Sequence, residues 1–257
     1  MPSEKVTFTG GLGHNLSAKL DWPDGDLKGW VVFAHGFSIG KDLKPVRTIS
    51  KTLVDEGYGM LRFDFTGLGD SDGDFAETNF SSNVEDILAA AGYLRLHHQA
   101  PSIMIGHSFG GTATLKAVHS VPECRAVATI GSPSNTDHIL HQFEDKLDEI
   151  LEEGKAEVSL AGRPFIIKEQ FIEDVTQQDM ECHIHELERA LMVFHSPQDR
   201  TVGIHNAGEI YGRARHPKSF VSLDGADHLL LKNPADAEYV ARVLAAWACR
   251  YIDVETR

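Results

Sequence analysis

Cysteine is sparse in this chain, basic charge is short and long apolar runs are missing, and each shortage excludes something. The three cysteines, Cys124, Cys182 and Cys249, are odd in number and widely spaced, which argues against a disulfide framework. No apolar stretch approaches the roughly 20 residues a membrane-spanning helix needs. The opening MPSEKVTFTGG has no apolar signal core, so the expected setting is a soluble, reducing compartment, most simply the cytoplasm. Lys and Arg number 24 against 38 Asp and Glu, a formal net charge of -14. Such a surface repels nucleic acid and anionic membranes and favours neutral or cationic small molecules as partners. Internal repeats and low-complexity linkers are also missing, and the sequence leaves a homo-oligomer open.

What is present is a sizeable core and a rhythm. Hydrophobic residues make up 42% of 257, enough for one large α/β unit spanning residues 1–257. KVTFTGGLGHNLSAKLDWP reads as two alternating strands around a turn. Continuous apolar runs of buried-strand type follow in GWVVFAHGF, GMLRFDF, PSIMIGHS, RAVATIGSP and ALMVFHSPQD, with a last strand in KSFVSLDGADH. Helical stretches lie between them: VRTISKTLVDEGY, SSNVEDILAAAGYLRLH with Ser81 or Ser82 as its cap, FGGTATLKAV, GIHNAGEIYGRA and the final PADAEYVARVLAAWACRYI. This alternation predicts a mostly parallel sheet with helices on both faces and an antiparallel edge from the first two strands. From about 134 to 189 the rhythm breaks into an acidic, mixed segment with a small hairpin in EVSLAGRPFIIK. It follows a strand's C-terminal end, where ligands bind in such sheets, so it is expected to form a cap.

Chemistry concentrates at Gly106-His107-Ser108-Phe109-Gly110. Gly-X-Ser-X-Gly between a strand and a helix is a nucleophile elbow, a turn so sharp that side chains two positions either side of the serine would clash. In this architecture the acid and then the histidine follow the serine along the chain. Of the later histidines, His205 falls in a helix and His216 at the wrong end of the sheet, whereas His228 follows the last strand. Topology therefore selects His228 as the general base for Ser108. Asp199 follows the preceding strand and is the expected acid, with Asp137 as runner-up, while Asp224 and Asp227 read as turn formers. The oxyanion donors are expected to be the backbone N–H groups of Phe37 and Phe109, with His35 ordering the Phe37 loop.

Other motifs are weaker. Asp70, Asp72 and Asp74 alternate like a calcium loop, but its glycine and glutamate positions hold Phe75 and Ser81. Cys182, His183 and His185 lack a matching ligand pair and read as a helix of the cap region. GGLGH lies outside any strand–helix–strand unit, so no dinucleotide is expected. The reading contains no metal and no cofactor.

Together HGF, LRFDFTGLGDSDG, GHSFGG, HSPQD and DGADH resemble the α/β-hydrolase superfamily along nearly the whole chain. Longer stretches, FDFTGLGDSDGDFAETNFSSNVEDI, AVATIGSPS and HPKSFVSLDGADHLL, look like the hydrolase half of bacterial hydrolase–OsmC fusion proteins. The resemblance implies an α/β-hydrolase fold with an eight-stranded sheet. It also implies a serine esterase using Ser108, Asp199 and His228 with the Phe37 and Phe109 N–H groups. Fusion members continue into an OsmC-type domain with peroxide-reducing cysteines; the sequence stops at Arg257, so no peroxidase role is carried over. The cap resembles that of bacterial hydroxycinnamoyl esterases, which suggests aryl or short acyl esters as small-molecule substrates. The same three residues also serve peptide, thioester and carbon–carbon bond cleavage, and a non-enzymatic binding protein on this fold is the remaining alternative.

Overall fold

A computed structural model describes residues 1–160 and 162–252. Its centre is an eight-stranded sheet. In chain order the sheet strands are β1 (Ser3–Thr9), β2 (Asn15–Asp21), β3 (Gly29–Ala34), β4 (Tyr58–Phe63), β5 (Ile103–His107), β6 (Ala126–Ile130), β9 (Ala190–His195) and β10 (Lys218–Ser222). They lie in the order β1-β2-β4-β3-β5-β6-β9-β10, and only the pairings of β2 with β1 and with β4 are antiparallel. A separate hairpin joins β7 (Lys155–Leu160) to β8 (Arg163–Lys168). The mostly parallel sheet with an antiparallel edge is what the alternation of strands and helices predicts, and its eight strands fit the α/β-hydrolase fold that the motif resemblance implies.

Both faces of the sheet are covered, which is why its central strands are apolar throughout rather than alternating. Every residue of β3 and β5 is buried. Period-two geometry then sorts their side chains between two cores. Val31, Phe33, Ile103 and Ile105 face the core under α1 (Lys44–Asp55) and α8 (Pro234–Ile252). Trp30, Val32, Ala34 and Met104 face the opposite core, under α2 (Phe80–His97), α3 (Phe109–Ala117) and α7 (His205–Arg213).

The insertion contributes α4 (Leu147–Glu153), the β7–β8 hairpin, α5 (Glu169–Thr176) and α6 (Met180–His185), preceded by a 3-10 stretch over Asp137–Lys146. Its apolar residues Phe143, Ile150, Ile167, Phe171 and Val175 join the second core. It is also tied to α2 by polar contacts, and these correct the expected helix cap. Neither Ser81 nor Ser82 is the N-cap: Asn79 is, accepting from the Ser82 N–H at 2.8 Å, while Ser82 Oγ accepts the Asn79 N–H at 2.9 Å. Ser81 is drawn away instead, its N–H and hydroxyl both donating to Asp174 of α5. Local sequence cannot reveal that preference, because the partner lies 93 residues on.

Candidate active site

Ser108 stands on the turn between β5 and α3 with φ 53° and ψ -130°. A non-glycine residue with this backbone is strained by roughly 1–3 kcal/mol, and it persists only where the surroundings over-determine it. Here the Ser108 N–H donates to the Ile130 carbonyl at 2.8 Å, and its own carbonyl accepts from the Gly111 N–H at 2.8 Å. The elbow glycines are required by space. A Cβ at Gly106 would lie 2.3 Å from the Gly111 Cα, and one at Gly110 would lie 2.1 Å from the His35 carbonyl oxygen.

The structure brings Ser108, His228 and Asp199 together from three separate strand ends. His228 Nε2 lies 3.0 Å from Ser108 Oγ, and His228 Nδ1 lies 2.7 Å from Asp199 Oδ2. The other carboxylate oxygen of Asp199 accepts from the Thr201 and Val202 N–H groups at 2.8 and 2.9 Å. Burial opposes ionisation of Asp199, but its hydrogen bond to His228 and the two N–H groups outweigh it and hold the carboxyl below its ordinary value. A carboxylate fixed in this way favours the tautomer with the proton on His228 Nδ1, in which Nε2 faces Ser108 Oγ as an acceptor. The glycine after β6, Gly131 (φ 56°), lies beside the Asp199–His228 pair. Asp137 opens the 3-10 stretch of the insertion, Asp224 accepts from Ser222, and Asp227 accepts the Leu231 and Lys232 N–H groups in a turn.

Phe37 lies just beyond β3 and lines, with Ser108 and His228, a cavity of about 220 Å³. Phe109 opens α3, so its N–H has no carbonyl one turn back to bond to, and the positive end of the helix dipole is at the serine. The rings of these two residues meet edge to face at 5.5 Å, and both pack on Phe171 of α5, at 5.5 and 6.3 Å. His35 is buried below this loop with Nδ1 donating to the Gly36 carbonyl at 2.8 Å. Burial, the largest influence, lowers its pKa, so it stands neutral. Lys41 anchors the far end of the loop: its N–H donates to Asp64 Oδ1 at 2.7 Å, and its ammonium reaches Asp64 and Asp70 at 2.6 and 2.9 Å. Asp70 is thus engaged in an ion pair, and Asp74 caps a short 3-10 turn by accepting from the Ala76 N–H.

Sequence reasoning missed His107, which precedes the serine. Burial, and then the nearby His228, push its pKa down to about 3, so it is neutral at physiological pH. Its Nε2–H donates to the His228 backbone carbonyl at 2.7 Å, bracing the loop that carries the imidazole. Its position inside the elbow was a signal, but its partner lies 121 residues away. Also missed were Gln142, the insertion's contribution to the cavity wall, and the backbone of Thr201 and Val202.

The chain is similar to known hydrolases. The family model described as serine aminopeptidase, S33 (Hydrolase_4), matches residues 25–160, just over half of the chain. The esterase domain of a Rhodothermus marinus protein shares 45% identity and superposes with a TM-score of 0.81, covering 98% of this chain and 100% of that one. The rat mitochondrial palmitoyl-protein thioesterase ABHD10 is 26% identical over 216 residues, 80% of this chain and 70% of that protein. The match to its human counterpart, 28% identical, spans 51% of this chain and 40% of that one. Est1E of Butyrivibrio proteoclasticus with ferulic acid bound shares the fold, with a TM-score of 0.78 at 19% identity, covering 96% of this chain and 100% of that one.

Proposed function

Since the chain belongs to the serine aminopeptidase S33 family of α/β-hydrolases, we propose that it is a serine carboxylic-ester hydrolase acting on small acyl or aryl esters. The observation that carries this reading is the unbroken relay from Ser108 Oγ through His228 to Asp199 at hydrogen-bonding distances. Ser108 Oγ attacks the ester carbonyl carbon while His228 Nε2 takes its proton. Asp199 orients the imidazole and stabilises the imidazolium without itself becoming protonated. The negative charge that develops on the carbonyl oxygen is received by the Phe37 and Phe109 N–H groups, and each such donor is worth about 3–4 kcal/mol of barrier. The C–O bond then breaks, and the alcohol leaves with the proton from His228. A water gives its proton to the same nitrogen, attacks the acyl-enzyme and releases the carboxylic acid, restoring Ser108.

The space immediately beside Ser108, about 220 Å³, suits a small acyl group, and it shares Ser38, Ile39 and Leu229 with a neighbouring hollow of about 420 Å³ that leaves room for the alcohol part. In this reading residues 134–189 act as a cap, because Gln142 lines the space beside Ser108 and Phe171 packs on the rings of both oxyanion residues. The similarity to a palmitoyl-protein thioesterase favours thioester cleavage as the second reading, since the same attack and oxyanion serve both bonds.

The test is turnover of a series of p-nitrophenyl esters of increasing acyl length, the matching thioesters and an anilide, by the wild-type protein and Ser108→Ala. Short-chain esters should be cleaved fastest and the variant should be inactive. Full activity in Ser108→Ala refutes the nucleophile, and a preference for long-chain thioesters replaces the first reading with the second.

A further inference from the structure

The β7–β8 hairpin touches the oxyanion loop at a place the ester reading does not use. Ser38, the residue after Phe37, holds φ 60°, a left-handed backbone that disfavours any residue with a Cβ. Its carbonyl accepts a hydrogen bond from the guanidinium of Arg163, the first residue of β8. That guanidinium is itself braced over the Phe165 ring, 5.3 Å from its centroid. Phe165 packs on Phe75 at 4.6 Å, and Phe75 packs on Phe37 at 5.3 Å. The hairpin therefore meets the loop twice, through a cation on a carbonyl and through a relay of rings. A hydrogen bond from a charged donor is of the same order as the backbone strain it opposes, so it is strong enough to decide whether Ser38 keeps its turn. Arg163 is exposed, so its removal empties no core.

We propose that Arg163 is a positioning residue for ester hydrolysis: from the hairpin it holds the Ser38 carbonyl, keeps the Ser38 turn left-handed and so fixes the neighbouring Phe37 N–H where the oxyanion forms. The proposal rests on the reading of Phe37 as an oxyanion donor. It gives the insertion a second task besides walling the cavity. Ground-state binding does not use that donor fully, so the effect belongs to kcat rather than KM.

The test measures kcat and KM for p-nitrophenyl butyrate, with thermal midpoints, on the full chain. Arg163→Ala should lower kcat about tenfold, a fraction of the 100- to 1,000-fold lost when an oxyanion donor is removed outright. KM should stay within twofold and the thermal midpoint should barely move. Arg163→Lys, which keeps a charged donor but not its fork, should recover part of the rate. Glycine adopts a left-handed turn without penalty, so in a Ser38→Gly background the same Arg163→Ala change should cost less than threefold. A kcat for Arg163→Ala within twofold of wild type, an effect confined to KM, or an equal loss in both backgrounds overturns the positioning role while the ester reading stands. Full activity in Ser108→Ala instead overturns the ester reading, and the positioning role with it.

Discussion

On one side of Ser108 the surroundings are chiefly hydrogen bonds, and on the other chiefly rings. The base side is a polar lattice in which His107 braces the His228 carbonyl, Asp199 grips Nδ1, and two backbone N–H groups grip Asp199. The Phe37 side, the oxyanion site of the proposed reaction, is mainly an aromatic stack of Phe37, Phe75, Phe109, Phe165 and Phe171, drawn from the sheet loops and the insertion alike, with Arg163 and Lys41 adding polar ties to its loop. The difference follows from what each side must do. A proton relay needs directional contacts whose length is fixed to tenths of an ångström. An oxyanion site needs two backbone donors kept still in a water-poor setting, and close-packed rings supply that rigidity together with low polarity.

If that division holds, substitutions on the two sides should fail in different ways. The largest effect is expected at Asp199→Asn, which favours the wrong tautomer of His228: kcat should fall by about 10⁴-fold while circular dichroism melting shifts little. Unfolding of this variant would mean the polar lattice also carries the fold. Phe171→Ala should instead act on stability, costing about 3–5 kcal/mol by urea titration, because it opens a cavity under both oxyanion rings. Loss of activity at unchanged stability would erase the contrast.

The pH dependence of His107 separates the sides more finely. Its folded pKa of about 3 lies below its ordinary value of 6.5, so the unfolded chain takes up the proton first as pH falls. Its contribution to stability is complete above pH 6.5 and is lost progressively towards pH 3, at up to about 1.4 kcal/mol per pH unit. His107→Gln should flatten that part of the urea-midpoint profile between pH 7 and 5, and an unaltered slope would show that the imidazole is not what titrates. The smallest effect should come from Asn79→Ala, about 1 kcal/mol for a lost cap. That side chain also donates to Gln170 of the insertion at 2.7 Å, so a loss well above this figure would show that the cap helps to dock α5.

Legibility in the sequence follows the same division. The strands announce themselves because a doubly covered sheet demands runs such as Trp30-Val31-Val32-Phe33-Ala34. Ser108, Asp199 and His228 are legible as neighbours because each lies at a strand's end and the topology leaves few rivals. The brace at His107 is not, since nothing in GHSFG says which carbonyl the imidazole will meet. Nor is the ring stack: Phe165 and Phe171 lie in a segment without rhythm, and their partners at 37, 75 and 109 are remote in sequence. The displaced cap of α2 has the same cause, with Ser81 claimed by Asp174 across the fold.

Gly131 shows what sets the width of the site. Ser108 follows β5, Gly131 follows β6 and Asp199 lies in the loop after β9, and these three strands are adjacent in register, with His107 opposite Ile130 and Ile130 opposite Phe194. The strands that lead to the serine and the carboxylate thus stand two strand spacings of about 4.8 Å apart. One imidazole and its two hydrogen bonds bridge the side chains they carry. The sheet acts as a ruler, and the middle graduation must be bare: a Cβ at Gly131 would lie 3.2 Å from Asp199 Oδ2 and 3.3 Å from His228 Nδ1, tighter than ordinary contact. The spacing of hydrogen-bonded backbone, common to every β-sheet, thereby brings the three side chains within reach of one another.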